Sequence, residues 1–345
     1  MAMTQTALRP FDARALAIDP AHETARIAHA LREQVGRRLR KRGIVLGLSG
    51  GIDSSVTAGL AVAAFGADKV LGILMPERDS DPDSLRLGRL VADALGIETV
   101  VEDIAPALEA MGCYARRDAA IRTVVPEYGE GWTCKVVLDP AFRAKGYNLS
   151  SLVVRAPDGE ETRRRLPLAA YQAIIAAANM KQRTRKQIEY FHADRLNRAV
   201  AGTPNRLEYA LGFFVKNGDG AADVKPIAHL YKSQVYDLAA HLHVPDEIRA
   251  RPPTTDTWSM PQSQEEFYFA ADTRTMDICL CALDLGASRE ETARAAGISE
   301  EAVEIVWRDI AGKRKVAAVL HAGPMTVDPV AIDLAAIDPA AADDR

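Results

Sequence analysis

Leu48-Ser49-Gly50-Gly51-Ile52-Asp53-Ser54-Ser55 is the stretch whose reading decides the fold. It lies between a short apolar run, Ile44-Val45-Leu46-Gly47-Leu48, and a small-residue segment from about Ser54 to Phe65. The first is composed like a strand buried on both faces of a parallel sheet, and the second like a helix packed closely on that sheet. Lys69 to Met75 repeats the buried-strand pattern, Asp83 to Leu95 reads as a helix, and Glu98 to Val101 as a third strand. Such strand–helix alternation predicts an α/β fold, a doubly wound parallel sheet with right-handed crossovers.

Working outward, residues 20–41 read as a helix, with Ile27, Leu31, Val35 and Leu39 at four-residue spacing, ended by Gly43. Residues 112–168 break the alternation. They hold two alternating segments, Lys135 to Leu138 and Ser150 to Arg155, then a tight turn at Pro157-Asp158-Gly159-Glu160. This region is expected to be an insertion with its own β-hairpin. A long helix from near Pro167 through Arg195, a short strand ending at Val200-Ala201-Gly202 and a helix from Lys232 to Leu242 follow. Residues 273–320 should form a C-terminal helical region. Residues 1–320 thus read as one unit, and 321–345, rich in Ala, Asp and Pro, as a loose tail.

Composition excludes several function classes. The 345 residues carry a net charge of −4 and are 48% hydrophobic, an ordinary globular mixture. Slight acidity speaks against an extended nucleic-acid surface. Residues 289–308 mimic a helix-turn-helix, but the would-be recognition helix carries Glu300, Glu301 and Glu304, which would repel phosphate. No stretch approaches the roughly 18 apolar residues of a membrane span, and the N-terminus does not resemble a secretory signal. Cys113, Cys134, Cys279 and Cys281 lack zinc-site spacing and read as thiols of a reducing cytoplasm. His241 and His243 fall on divergent faces and read as structural; Trp132, Trp258 and Trp307 read as core or lid residues.

The chemistry is concentrated at the quoted stretch. Glycines let the backbone approach a ligand, a new helix presents unpaired N–H groups, and Ser49, Ser54 and Ser55 add hydroxyls, which together suit a pyrophosphate. Asp53 beside phosphates requires an intervening cation, for which Mg²⁺ is the natural choice. A Gly-Lys-Ser/Thr ending is absent, which disfavours γ-phosphoryl transfer, and a Gly-x-Gly-x-x-Gly turn is absent, which disfavours hydride transfer.

The stretch resembles the PP-loop of ATP pyrophosphatases, enzymes of adenine nucleotide alpha hydrolase-like fold that cleave ATP between the α and β phosphates. Gly202-Thr203-Pro204-Asn205-Arg206-Leu207-Glu208, the run from Gly212 to Asp223, Leu230-Tyr231-Lys232-Ser233-Gln234-Val235 and Pro253-Thr254-Thr255-Asp256 narrow the resemblance to the NAD synthase family, over roughly residues 20–320. The resemblance implies adenylation of the carboxylate of deamido-NAD by ATP, release of pyrophosphate, and displacement of AMP by ammonia. It implies that Gly47, Leu48, Ser49, Gly50, Gly51, Ile52, Asp53 and Ser54 hold ATP phosphates, with Thr203, Lys232 and Thr254 also on ATP. Asp53 and Glu208 match the Mg²⁺ ligands; Arg183, Lys216, Asp223 and Lys313 match contacts to deamido-NAD. Asp53, Lys232 and Asp223 are the residues assigned to catalysis. Asp219, between Gly218 and Gly220, reads as a turn former.

Three departures from the family pattern stand out. Gln264 occupies a position where an acid is usual, Gly312 precedes Lys313 where a His-Lys pair is usual, and 112–168 has no counterpart in short members. Only 43 residues precede the Ile44 strand, too few for the amidase domain of glutamine-using members, so free ammonia or a separate glutaminase is the expected nitrogen source. The resemblance also implies a homodimer with the deamido-NAD site near the subunit interface. Two rival readings are a PP-loop enzyme acting on another carboxylate or a tRNA base, and a catalytically silent nucleotide-binding relative. A tRNA modifier should add a basic region, which is not found; Asp53, Glu208 and Lys232 together argue against silence.

Overall fold

A computed structural model describes residues 11–138, 150–254, 257–269 and 271–328. Its centre is a four-stranded parallel sheet of β1 (Ile44–Gly47), β2 (Val70–Leu74), β3 (Glu98–Val101) and β7 (Ala199–Val200), in the order β3-β2-β1-β7. Ile44 pairs with Val70 on one side and Ala199 on the other. The apolar runs of β1 and β2 are buried on both faces, which the continuous hydrophobic pattern requires.

Helices cover both faces. α1 (Pro20–Leu31) and α2 (Ile52–Phe65) pack together on one side, and their Ile27, Leu31, Val56 and Leu60 fill the main core with Ile44, Leu46 and Leu74. Asp19 caps α1 ahead of Pro20, and the expected 20–41 helix changes at Arg32 into a wider π-type coil, Arg32–Arg38. α3 (Ser84–Leu95) crosses from β2 to β3. The opposite face is covered by α6 (Leu168–Leu196), whose Ile188 and Ala193 pack with Val45, Leu71 and Ile73. Asn197 closes α6 in the left-handed conformation.

The insertion is richer than expected. It begins with α5 (Cys113–Arg122), just after α4 (Ala105–Ala110), and continues as β4 (Thr133–Leu138), β5 (Ser150–Arg155) and β6 (Glu161–Arg165). The Pro157–Glu160 turn joins β5 to β6, with Gly159 at φ +92°. β4 and β5 hold the two expected segments and β6 is a third antiparallel strand, giving the order β4-β5-β6. Glu161–Arg165 is charged and without alternating apolar residues, so nothing in its composition marks it as a strand; partnership with β5 makes it one. Cys134, Val136, Leu152 and Val154 line the sheet's inner face against Ile121 and Ile174.

A buried ionic cluster ties the insertion to the central sheet. Lys181 Nζ lies 2.9 Å from Glu77 Oε1 and 2.6 Å from Asp79 Oδ2, Arg117 also bonds Asp79, and Tyr114 donates to Glu77 at 2.9 Å. Burial opposes ionisation of Asp79, but the charges of Lys181 and Arg117 outweigh it and hold that carboxyl below its ordinary range.

After β7 the chain forms α7 (Arg206–Leu211), α8 (Lys232–His241), α9 (Asp246–Ala250) and α10 (Gln264–Phe267). The expected helical region is α11 (Thr273–Leu285), α12 (Arg289–Ala296) and α13 (Glu300–His321), packed through Leu280, Val306 and Ile310 on Leu207 and Leu211. All four cysteines are free and buried. No helix among the described residues is long and apolar enough to cross a membrane. Most of the expected tail, 329–345, lies outside the described residues.

Gly50 combines a tight joint with a left-handed backbone. Its φ is +74°, and a Cβ there would lie 2.5 Å from Leu87 Cβ, at the point where α3 touches the loop after β1. Gly50→Ala should therefore lower unfolding stability by about 2 to 5 kcal/mol, from left-handed strain plus overpacking. Gly51→Ala, whose nearest contact would be Ser49 Oγ at 3.3 Å, should cost under about 1.5 kcal/mol. Urea unfolding of the two variants checks the contrast, and equal losses would contradict it.

Candidate active site

β1 passes to β2 on one side and pairs with β7 on the other, so the sheet order reverses at β1. Beyond the carboxyl ends of strands at such a reversal an open α/β sheet leaves a crevice. Here it is a cavity of about 1030 Å³, walled by Ser49 to Ser54 after β1 and by Thr203 and Pro204 after β7.

One wall is the N-terminus of α2. Gly51 is the N-cap and no side chain caps the helix, so its leading N–H groups keep their partial positive charge for a ligand. Ser54 and Ser55 donate their hydroxyls to Gly51 O at 3.0 and 2.8 Å, and Ser49 Oγ lies 3.3 Å from Ser54 Oγ. The serines thereby stiffen the turn while Ser49 and Ser54 still line the cavity. Helix α2 begins at Ile52, two residues before the expected start, because Gly51 itself supplies the cap.

The second wall is a charged group. Lys232, the first residue of α8, is 2% exposed and its ammonium bonds Asp53. Burial works against its charge, but the Asp53 and Glu208 carboxylates outweigh burial and hold it above the ordinary lysine range. Asn205 Nδ2 donates to Asp53 Oδ1 at 3.1 Å and its backbone N–H to Glu208 Oε2 at 3.2 Å. Gln264 Nε2 donates to Glu208 Oε1 at 3.0 Å. Burial and the nearby Asp53 charge push Glu208 up to about 8, against the pull of Lys232. Two carboxylates, one ammonium and bare helix amides can hold a hard divalent cation with a polyanion.

The cavity gathers most, though not all, of the residues singled out by sequence. Ser49, Gly50, Gly51, Ile52, Asp53, Ser54, Thr203, Glu208, Lys232, Thr254 and Lys313 line it. Gly47 and the buried Leu48 stand behind the loop, with Leu48 N–H bonding Ile73 O at 2.9 Å. Lys313 is engaged by Tyr268 O and Asp309. Arg183, Lys216 and Asp223 do not line the cavity. Exposed Arg183 donates through Nε to Lys216 O at 3.2 Å, and Lys216 Nζ reaches Ala322 O at 2.7 Å. Asp223 accepts from Val200 N–H at 2.8 Å and so supports the end of β7. Asp219 accepts from Val215 N–H at 2.8 Å, as a turn former should. Thr255 and Asp256 lie outside the described residues.

Sequence reasoning missed three participants. Asn205 caps α7 in a box with Glu208, and Asn-x-x-Glu was a readable signal for it. Asp277 accepts from the backbone N–H groups of Lys232 and Ser233 at 3.2 and 2.8 Å, and no local pattern reveals it. Gln264 was noticed only as a departure; its bond to Glu208 spans 56 residues of sequence.

Comparison with known proteins identifies the family. The model of the NAD synthase family matches residues 23–125 and 160–315. The "NH(3)-dependent NAD(+) synthetase" of Rhizobium meliloti (strain 1021) is 63% identical over 317 residues, 92% of this chain and 95% of that protein. The protein of the same name from Methanocaldococcus jannaschii is 33% identical across 82% of this chain and 88% of its own. Among solved structures, the NH3-dependent NAD synthetase from Campylobacter jejuni superposes with a TM-score of 0.59 at 20% identity, covering 90% of this chain and all of that one, a likeness of fold. With matches spanning most of its length, the chain belongs to the NAD synthase family.

Proposed function

We propose that the chain is an AMP-forming ligase that converts deamido-NAD to NAD with ATP and ammonia. One observation carries the reading: the uncapped start of α2 and the Asp53–Lys232–Glu208 group share one cavity. Ammonia as nitrogen source is supported by the names of relatives up to 63% identical over nearly their whole length.

The chemical task is to make a carboxylate electrophilic. The amides and serine hydroxyls of 49–54 bind the β and γ phosphates, which leave as pyrophosphate, while Lys232 neutralises charge that builds between the α and β phosphates. The substrate carboxylate attacks the α phosphorus, the bond to pyrophosphate breaks, and an acyl adenylate forms. Ammonia then attacks the acyl carbon and AMP leaves. Asp53 and Glu208 are the proposed Mg²⁺ ligands, and the ion supplies charge neutralisation along the triphosphate when bound. The oxygen-only donor set fits that ion, and Lys232 can exchange Asp53 for phosphate as ATP arrives.

Arg183, Lys216, Asp223 and Lys313 are proposed for deamido-NAD, the first three from a surface that a homodimer would bring to the cavity of the other subunit. Arg183 and Lys216 already touch each other there. We further propose residues 1–320 as one unit with its 112–168 insertion, working in the cytoplasm, where four buried free thiols are at home. A separate glutaminase is a possible donor of the ammonia.

Incubation with ATP, Mg²⁺, ammonium and deamido-NAD should yield AMP and NAD in equal amounts, with glutamine a poor substitute for ammonium. Asp53→Asn should reduce both products by at least ~10²-fold; undiminished AMP release from this variant would contradict its assignment. Mg²⁺ affinity should depend on pH in a set direction. Metal-free Glu208 carries a proton below about pH 8, so the cation must displace it, and affinity should fall by up to about tenfold per pH unit below that point. Calorimetric titration at pH 6.5 and 8.5 measures this, and Glu208→Gln should flatten the dependence.

A further inference from the structure

The family model passes over residues 126–159, so β4 and β5 are additions to the matched frame. Yet the order β4-β5-β6 leaves β4 an edge strand, and that edge is covered by a segment inside the matched region. Met260 N–H donates to Cys134 O at 3.2 Å, Cys134 N–H donates to Ser259 Oγ at 2.9 Å, and Gln262, 4% exposed, donates its amide to Val136 O. Lys135 Nζ reaches Pro261 O at 3.1 Å and Glu266 at 3.0 Å. Met260 packs on Val137 and Val153.

Covering an edge strand would be reason enough for such contacts. Two further facts give this strap a role in the site. Immediately before it, Trp258 and Thr257 line the cavity, with Trp258 packed on Phe267 and Thr257 O held by Lys181. Immediately after it, α10 opens with Gln264, whose amide holds Glu208. The inserted sheet also contributes Leu138, Ser150 and Arg165 to the cavity wall.

We propose that the inserted sheet is a positioning element for the reaction: by fixing residues 259–262 along β4 it holds Gln264 on Glu208 and Trp258 in the cavity wall, so that water is kept from the acyl adenylate. Ser259 and Gln262 are positioning residues, since neither lines the cavity. The proposal rests on the amidation reading given above. Where the strap is loose, water attacks the acyl carbon in place of ammonia, the bond to AMP breaks, and deamido-NAD is regenerated as the free acid. ATP is then spent as AMP and pyrophosphate with no NAD formed.

The test is the ratio of AMP to NAD at limiting ammonium, in wild type, Gln262→Ala, Ser259→Ala and Ser259→Thr. The expected ratio is near one in wild type, at least about threefold higher in the two alanine variants, and near one again in Ser259→Thr, which keeps the hydroxyl. Plain loss of fold lowers AMP and NAD together and leaves the ratio unmoved, so the ratio is read in alanine variants whose Tm shows them folded. A ratio of one in both alanine variants overturns the positioning role. Wild type that makes no NAD at all overturns the amidation reading instead.

Discussion

The ammonium of Lys232 against the carboxylate of Asp53 is the contact around which the site is arranged. A buried charge needs a partner, and each residue here is delivered by a different part of the fold: Asp53 by the first turn of α2, Lys232 by the start of α8. Glu208, from the helix after β7, adds a second acid beside one lysine, and burial together with the Asp53 charge raises its affinity for a proton. Two acids beside one base suit a cation, and the uncapped amides beside them suit an anion. A metal–polyphosphate pair satisfies both demands at once.

The surrounding architecture keeps this imbalance from collapsing. The ionic cluster of Lys181, Glu77, Asp79 and Arg117 is nearly sealed from solvent; both acids come from the segment after β2, one base, Arg117, from the insertion and the other, Lys181, from α6. Through Thr257 O it also reaches the loop that borders the cavity. Rigid anchoring of that loop at both ends suits chemistry that passes through a water-sensitive intermediate.

Much of the fold was legible because the relevant residues are neighbours in sequence. β1 and β2 are apolar throughout, and the glycine-serine turn between β1 and α2 announces its own geometry. The first coil of the insertion could be misread because α5 has a polar surface apart from a few buried residues such as Ile121 and Tyr114. Glu161–Arg165 has no strand signature of its own, since its pairing with β5 supplies what its side chains do not. The site was legible where motifs carry it: Asp53, Glu208 and Lys232 meet as their motifs imply. Asp277 and Gln264 were not legible as partners, because a contact between residues dozens of positions apart is a property of packing. Arg183, Lys216 and Asp223 stand apart from the cavity within a single chain.

Among the helices that start beside this crevice, α2 and α8 do not start alike. The first amides of α8 are already occupied by the Asp277 carboxylate, which is fully buried and pushed up to about 6 by that burial. Those of α2 have no side-chain cap. A polyanion entering the crevice would meet open amides at α2 and amides already engaged at α8.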